Sequence, residues 1–156
     1  MMHPMRRTDR EKPREFALAV ADKCGYAMLA TVSADGSPYC IPLSMAREGE
    51  WLYFHSANAG RKIDNLKHNN RVCVSCVGEQ KQAPGEFSLI YESAVIFGPA
   101  SEITDREEKI RVLALISRRF APGNMENFEK AIEKGVDHTA VWKIHIDEIS
   151  GKGRTH

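Results

Sequence analysis

The chain has 156 residues, enough for one domain with a real core and too few for two. Hydrophobic residues make up 42% and charged residues 28%, an ordinary soluble composition. Lys and Arg number 22 against 21 Asp and Glu, so no global field exists to draw in nucleic acid or an anionic membrane. Any anion must be met by a local cluster. No stretch approaches the roughly 18 apolar residues of a membrane span, and the polar start has no apolar signal-peptide core. Cys24, Cys40, Cys73 and Cys76 lack the spacing of a disulfide framework, which points to a reducing cytoplasm.

Residues 11–23 predict a helix, with Pro13 in the first turn, an apolar face from Phe16, Leu18 and Val20, and Gly25 just past the end. Residues 26–32 then read as a strand. Ala34-Asp35-Gly36-Ser37 is a hairpin turn, because Asp-Gly accepts the positive φ angles a tight turn needs. A second strand covers 39–43, and Pro42, which cannot donate to a ladder, marks an edge or a bend. Residues 51–55 give a third strand and 60–68 a short helix with Ile63 and Leu66 on one face. Residues 71–77 form a fourth strand and 78–86 a polar loop. Residues 87–103 read as one long or broken strand, with a bend at Gly98-Pro99.

Thr104 followed by Glu107 resembles a capping box, opening a helix that stops before Pro122. A second helix covers 125–134, a last strand 140–146, and the polar ends, 1–10 and 151–156, are expected to be flexible tails. About six strands at hairpin spacing, with helices at the periphery, predict a single α+β domain over 1–156 built on an antiparallel sheet or barrel.

The segment with most chemistry runs from His55-Ser56 at a strand end to Gly60-Arg61-Lys62 at a helix start. A helix N-terminus presents unpaired N–H groups and the positive end of a dipole. Arg61 is able to grip a phosphate through two parallel hydrogen bonds, Lys62 adds a point charge, Ser56 a hydroxyl, and Gly60 a close backbone approach. On these residues alone, an anion site and a solvated basic turn are equally good readings. Cys73 and Cys76, three apart on a strand, face opposite sides and read as separately packed thiols rather than a metal or redox pair; no metal site is expected. His138 and His145 read as structural, His68 as a surface residue, and His3 and His156 lie in the tails. Ser150-Gly151-Lys152-Gly153 lacks the first half of a phosphate-binding P-loop.

The ordered series Leu29-Ala30-Thr31-Val32, Asp35-Gly36, Pro38-Tyr39, Pro42-Leu43, Tyr53-Phe54-His55-Ser56, Gly60-Arg61-Lys62, Asn65-Leu66, Asn69 and Arg71-Val72 resembles the pyridoxamine 5′-phosphate oxidase-like FMN-binding split barrels. Met5 to Glu11, Phe97-Gly98-Pro99-Ala100 and Phe120-Ala121-Pro122-Gly123 are similar to their nitroimidazole-resistance (Nim) branch, so the resemblance covers most of the chain. It implies a split β-barrel and a homodimer with FMN at the subunit interface. Arg61 and Lys62 would hold the phosphate, with His55, Ser56 and Gly60 beside it, and Met28, Leu29, Ala30 and Thr31 would lie along the flavin ring. Glu92 and Ser93 would approach from the second subunit.

The same resemblance implies an oxidoreductase that reduces a small aromatic or nitro compound through bound flavin. The alternatives are a flavin carrier or sensor without turnover and a haem-binding split barrel. No residue stands out as a general acid; His55 and Tyr91 are the candidates. In Nim proteins a histidine near the flavin is linked to a covalent pyruvate-like group, for which His55 is the plausible carrier here, but a hydrogen bond from His55 to the phosphate or to the dimer partner is the better reading. The end of the chain, Trp142 to Lys152, lacks the Arg-rich, Trp-containing segment with which true pyridoxamine phosphate oxidases bind their vitamin substrate. Vitamin B6 oxidation is therefore not expected.

Overall fold

A computed structural model describes residues 3–155. In chain order these form β1 (Glu11–Lys12), α1 (Arg14–Lys23), β2 (Ala27–Val32), β3 (Pro38–Leu43), β4 (Ala46–Glu48), β5 (Trp51–Ala57), α2 (Arg61–His68), β6 (Arg71–Gln82), β7 (Leu89–Glu102), α3 (Arg106–Phe120), α4 (Phe128–Gly135), β8 (Thr139–His145) and β9 (Glu148–Arg154). The class is α+β, and the nine strands make one antiparallel sheet that curls but does not close. Its order is β3-β2-β6-β7-β8-β5-β4, with β9 paired to both β7 and β1.

Strand β7 organises this barrel. Along one edge it pairs with β6 from Pro99 back to Leu89. Along the other it pairs first with β9, up to Phe97, and then with β8 from Ala100. The switch falls on Gly98, at the expected bend. There the β8–β9 corner crosses so closely that a Cβ on Gly98 would sit 1.6 Å from the His145 carbonyl oxygen. The Asp147 N–H donates to the Phe97 carbonyl at 3.0 Å and pins the corner.

Two cores result. The inner one lies between the strands and under α1 and α2, with Ala17, Leu29, Phe54, Val74, Ile96 and Ile144 fully buried. The other packs Tyr53 and Val141, on the opposite face of β5 and β8, against Val112, Ile116 and Ile132 of α3 and α4. The apolar stripe on α3 has therefore found its sheet, and Asp105 caps that helix by accepting from the Glu108 N–H at 2.9 Å.

Some elements differ from their predicted form. The first helix starts at Arg14, and Glu11–Lys12 pair instead with Gly151 and Lys152 of β9. The loop expected from 78 is mostly strand, since β6 runs on to Gln82 past an irregularity between Val77 and Gln80. The expected flexible tail from 151 is a correction of substance. Gly151 to Arg154 belong to β9, bonded between β7 and β1, and the leading tail holds a 3-10 turn at Thr8–Arg10. A polar, Gly-Lys run shows no apolar alternation, yet the missing side chains at Gly151 and Gly153 are what let Ala17 and Phe16 of α1 lie against this strand. Met1, Met2 and His156 lie outside the described residues. Among the described residues no helix is long and apolar enough to cross a membrane.

Candidate functional site

Helix α2 closes one end of the barrel. Ile63 and Leu66 enter the inner core, and the buried Asn65 donates through Nδ2 to Thr31 Oγ1 at 2.9 Å, tying the helix to β2. That bond fixes where the helix N-terminus points. It emerges beside the β2–β3 hairpin, and the hairpin supplies two side chains the sequence alone did not single out. Ser33 Oγ accepts from Arg61 Nε and Nη2, both at 3.3 Å, and the Tyr39 ring lies under the guanidinium at 4.5 Å. Tyr39 reaches this place because it pairs with Thr31 across the hairpin and so shares its face. Only the register of that turn, set by Gly36 at φ 85°, brings Ser33, Tyr39 and Arg61 together.

Gly60, the residue before α2, has φ 128° and ψ 171°, a region practically reserved for glycine, with open space where a Cβ would be. The loop from Ser56 to Gly60 therefore turns sharply and leaves the helix end uncovered. Lys62 Nζ lies over the Phe54 ring at 5.8 Å, and partial burial pushes its pKa down. The His55 imidazole is likewise held below its ordinary value, first by desolvation and then by the charge of Lys62.

Carboxylate pairing varies over the surface: some arginines are paired, and others, Arg6 and Arg118 among them, form no salt bridge among the described residues. Arg14, Arg47, Arg71, Arg106 and Arg111 each carry a carboxylate partner. Among the described residues neither Arg61 nor Lys62 forms a salt bridge. Asp35, whose charge interacts with that of Arg61, accepts from the Ser37 N–H at 2.9 Å, and its carboxyl is lowered mainly by Ser37 and only further by Arg61. Two cations, one stacked and one partly desolvated, thus flank an open helix N-terminus. Chemically this suits a phosphate monoester dianion.

The remaining predicted residues separate by face. Met28 and Ala30 are half-buried on the outer side of β2, whereas Leu29 and Thr31 are 0% and 3% exposed and point inward. Only the backbone of the inward pair is left to meet a ligand on that outer side. Ser56 Oγ donates to the Ala57 carbonyl at 2.9 Å. Glu92 and Ser93 sit elsewhere altogether. Ser93 pairs with Val77, beyond the Ala27–Cys76 end of β2, and Glu92 is bonded to Lys23 and to the Glu79 N–H. The length of β2, roughly 20 Å at the rise of an extended strand, separates them from Arg61. His145, by contrast, bonds Asp147 through Nδ1 at 2.7 Å and packs edge-on against Trp51.

A pH experiment follows from the His55 environment. NMR titration should place His55 below its ordinary value, and Lys62→Gln should move it upward by removing the neighbouring charge. Because the folded value is depressed, the neutral ring contributes stability above the unfolded pKa, and that contribution is lost as the pH falls from there toward the folded one. An unchanged titration in Lys62→Gln would show that desolvation alone sets it.

A family model described as pyridoxamine 5′-phosphate oxidase matches residues 13–153. No curated protein matches the chain. Among solved structures, the chain is 26% identical to a protein from Bacteroides thetaiotaomicron described as a candidate 5-nitroimidazole antibiotic resistance protein. The match covers 90% of this chain and 84% of that one, with a TM-score of 0.76. It is also 26% identical to the flavocytochrome Anf3 of Azotobacter vinelandii, over 99% of this chain and 73% of that one, at TM-score 0.84. A FAD and heme binding protein of Mycobacterium smegmatis, 24% identical over 94% and 74%, shares the fold at TM-score 0.80.

Proposed function

The chain belongs to the pyridoxamine 5′-phosphate oxidase family, and from that premise we propose that it is an FMN-binding oxidoreductase of the Nim-like kind, working as a homodimer. The observation that carries the proposal is the unpaired Arg61–Lys62 couple at the open N-terminus of α2, beside a glycine that keeps the approach clear. Arg61 would hold the FMN phosphate in the orientation Ser33 and Tyr39 give its guanidinium, and Lys62 would add charge. Met28 and Ala30 present a low, half-buried surface suited to a flat ring.

Two features support the dimer. Glu92 and Ser93, on β7 beyond the far end of β2, lie too distant from Arg61 to reach the same flavin within one chain, so they would serve the flavin of the other. The outer face of the sheet also leaves Val32 and Val77 exposed, beside half-buried Val95 and Phe97, which a second copy would cover. When bound, the flavin supplies the electrons for reduction of a small aromatic or nitro compound. The protein binds it, orients it and shields one face. Vitamin B6 oxidation is not part of this reading, since Trp142 to Lys152 lacks the Arg-rich, Trp-containing pattern of the true oxidases.

The absorption spectrum of the purified protein is the first test. A yellow flavin spectrum, released by heat as FMN, supports the reading; colourless protein that takes up no added FMN defeats it. A Soret band would favour the haem reading, which the flavocytochrome and the FAD and heme binding protein keep in view. Reduced holoprotein should then be reoxidised by nitroimidazoles or quinones faster than free flavin is. Equal rates would leave a carrier or sensor.

A further inference from the structure

The outer side of β2 continues past the surface proposed for the flavin ring. Met28 lies between Pro42 of β3 and Ser75 of β6, its partners in the register. Two residues before it stands Tyr26, 63% exposed, whose side chain makes no hydrogen bond among the described residues and is free to turn onto a ligand. An open hollow of about 570 Å³ lies between Tyr26 and Met28 on one side and Pro42, Leu43 and Ser44 on the other. Its size is that of a small-molecule site, ~300–1,000 Å³. A second hollow shares Tyr26 and Met28 but opens toward Val77, on the side a second copy would cover.

The chemistry of the first hollow is distinctive. No Asp, Glu, Lys, Arg or His lines it. Three hollows elsewhere on the described surface all carry charge: Glu79, Lys81 and Arg154 line one, Glu11, Arg71 and Glu148 a second, Asp9 and Arg10 a third. An ionic solute entering beside Tyr26 gives up water and finds no counter-charge. An uncharged aromatic ring gives up little and gains the Tyr26 face, with Met28, Pro42 and Leu43 beneath it.

We infer that this hollow seats the electron acceptor, that the acceptor is an uncharged planar aromatic, and that Tyr26 is the specificity-determining residue. The inference rests on the flavin reading above, because a ring laid over Ala30 and Met28 ends beside Tyr26. Selection is by two effects: the Tyr26 ring packs against the acceptor, and the charge-free lining turns away anions of the same shape.

The probes are 4-nitrobenzamide and 4-nitrobenzoate, planar nitroarenes of one shape that differ by one charge. Each is titrated into the oxidised, FMN-loaded full chain and followed by the change in flavin absorbance, which needs no turnover. The amide should bind about 10-fold or more tighter than the carboxylate. Tyr26→Ala should weaken the amide roughly 10-fold, and Tyr26→Phe should retain it within a few-fold. Both variants should keep the FMN affinity and Tm of the wild type, since Tyr26 is exposed and outside the phosphate grip. Ser44→Lys, which places a cation in the exposed wall, should bring the carboxylate to within a few-fold of the amide. A wild-type chain that binds no FMN overturns the flavin reading and this seat with it. A chain that binds FMN but takes both probes alike, or whose Tyr26→Ala variant binds the amide as the wild type does, overturns the seat alone.

Discussion

Replacing Arg61 and Lys62 together by alanine is expected to weaken FMN binding by roughly 10²- to 10³-fold and riboflavin binding by no more than a few-fold. The estimate rests on charged hydrogen bonds, each worth about 1.5–3 kcal/mol, with some loss recovered by water. Riboflavin has no phosphate, so the ratio of the two losses isolates the grip from any effect on folding. Arg61 should dominate. Its guanidinium is already fixed by the Tyr39 ring and Ser33 Oγ, so little side-chain freedom is lost when a phosphate arrives. Isothermal titration of both ligands against both proteins decides it. Equal losses for FMN and riboflavin would mean that the two cations act on the fold or on another part of the ligand.

The largest effect on stability is expected from Gly98→Ala. The new methyl would lie 1.6 Å from the His145 carbonyl oxygen and 2.8 Å from its carbon, both backbone atoms that no rotamer change moves aside. The β8–β9 corner must retreat by more than 1 Å, which breaks the Asp147 N–H bond to Phe97 and strains β7 where its partner changes from β9 to β8. A cost of at least ~3 kcal/mol follows, a large share of the stability of an ordinary domain. Soluble yield and the midpoint of guanidinium unfolding measure it. Gly135→Ala is the control: its nearest neighbour would be Thr139 Oγ1 at 4.0 Å, so the midpoint should hardly change. An unshifted midpoint in Gly98→Ala would show that the corner is not clamped there.

Both predictions concern residues visible in the sequence for different reasons. Arg61 and Lys62 declare themselves by charge and by the glycine before them. Gly98-Pro99 announces a bend, but says nothing about what lies on the other side of it. The same limit explains Ser33 and Tyr39. Neither is unusual as a residue, and they come to lie against Arg61 only because a two-strand register sets Tyr39 opposite Thr31 and Asn65 then draws α2 onto that strand.

Local pattern therefore determined the class of fold, the hairpin at Asp35-Gly36, the short helix after Gly60 and the start of the long helix near 105, although its cap is Asp105 and not the expected Thr104. These depend on neighbours within a few positions, which a sequence displays directly. Tertiary structure decided the rest. It made the polar end from Glu148 into a strand, because a strand buried under α1 is held by ladder bonds and by the absence of side chains at Gly151 and Gly153. It turned Leu29 and Thr31 inward and set Glu92 and Ser93 a strand's length from Arg61. It also buried Cys24 and Cys76 in the inner core, while the Cys-x-x-Cys spacing that catches the eye in sequence was divided between two faces of β6. Contacts between distant segments depend on sheet register and on what crosses above it, and neither is encoded in the spacing of any single motif.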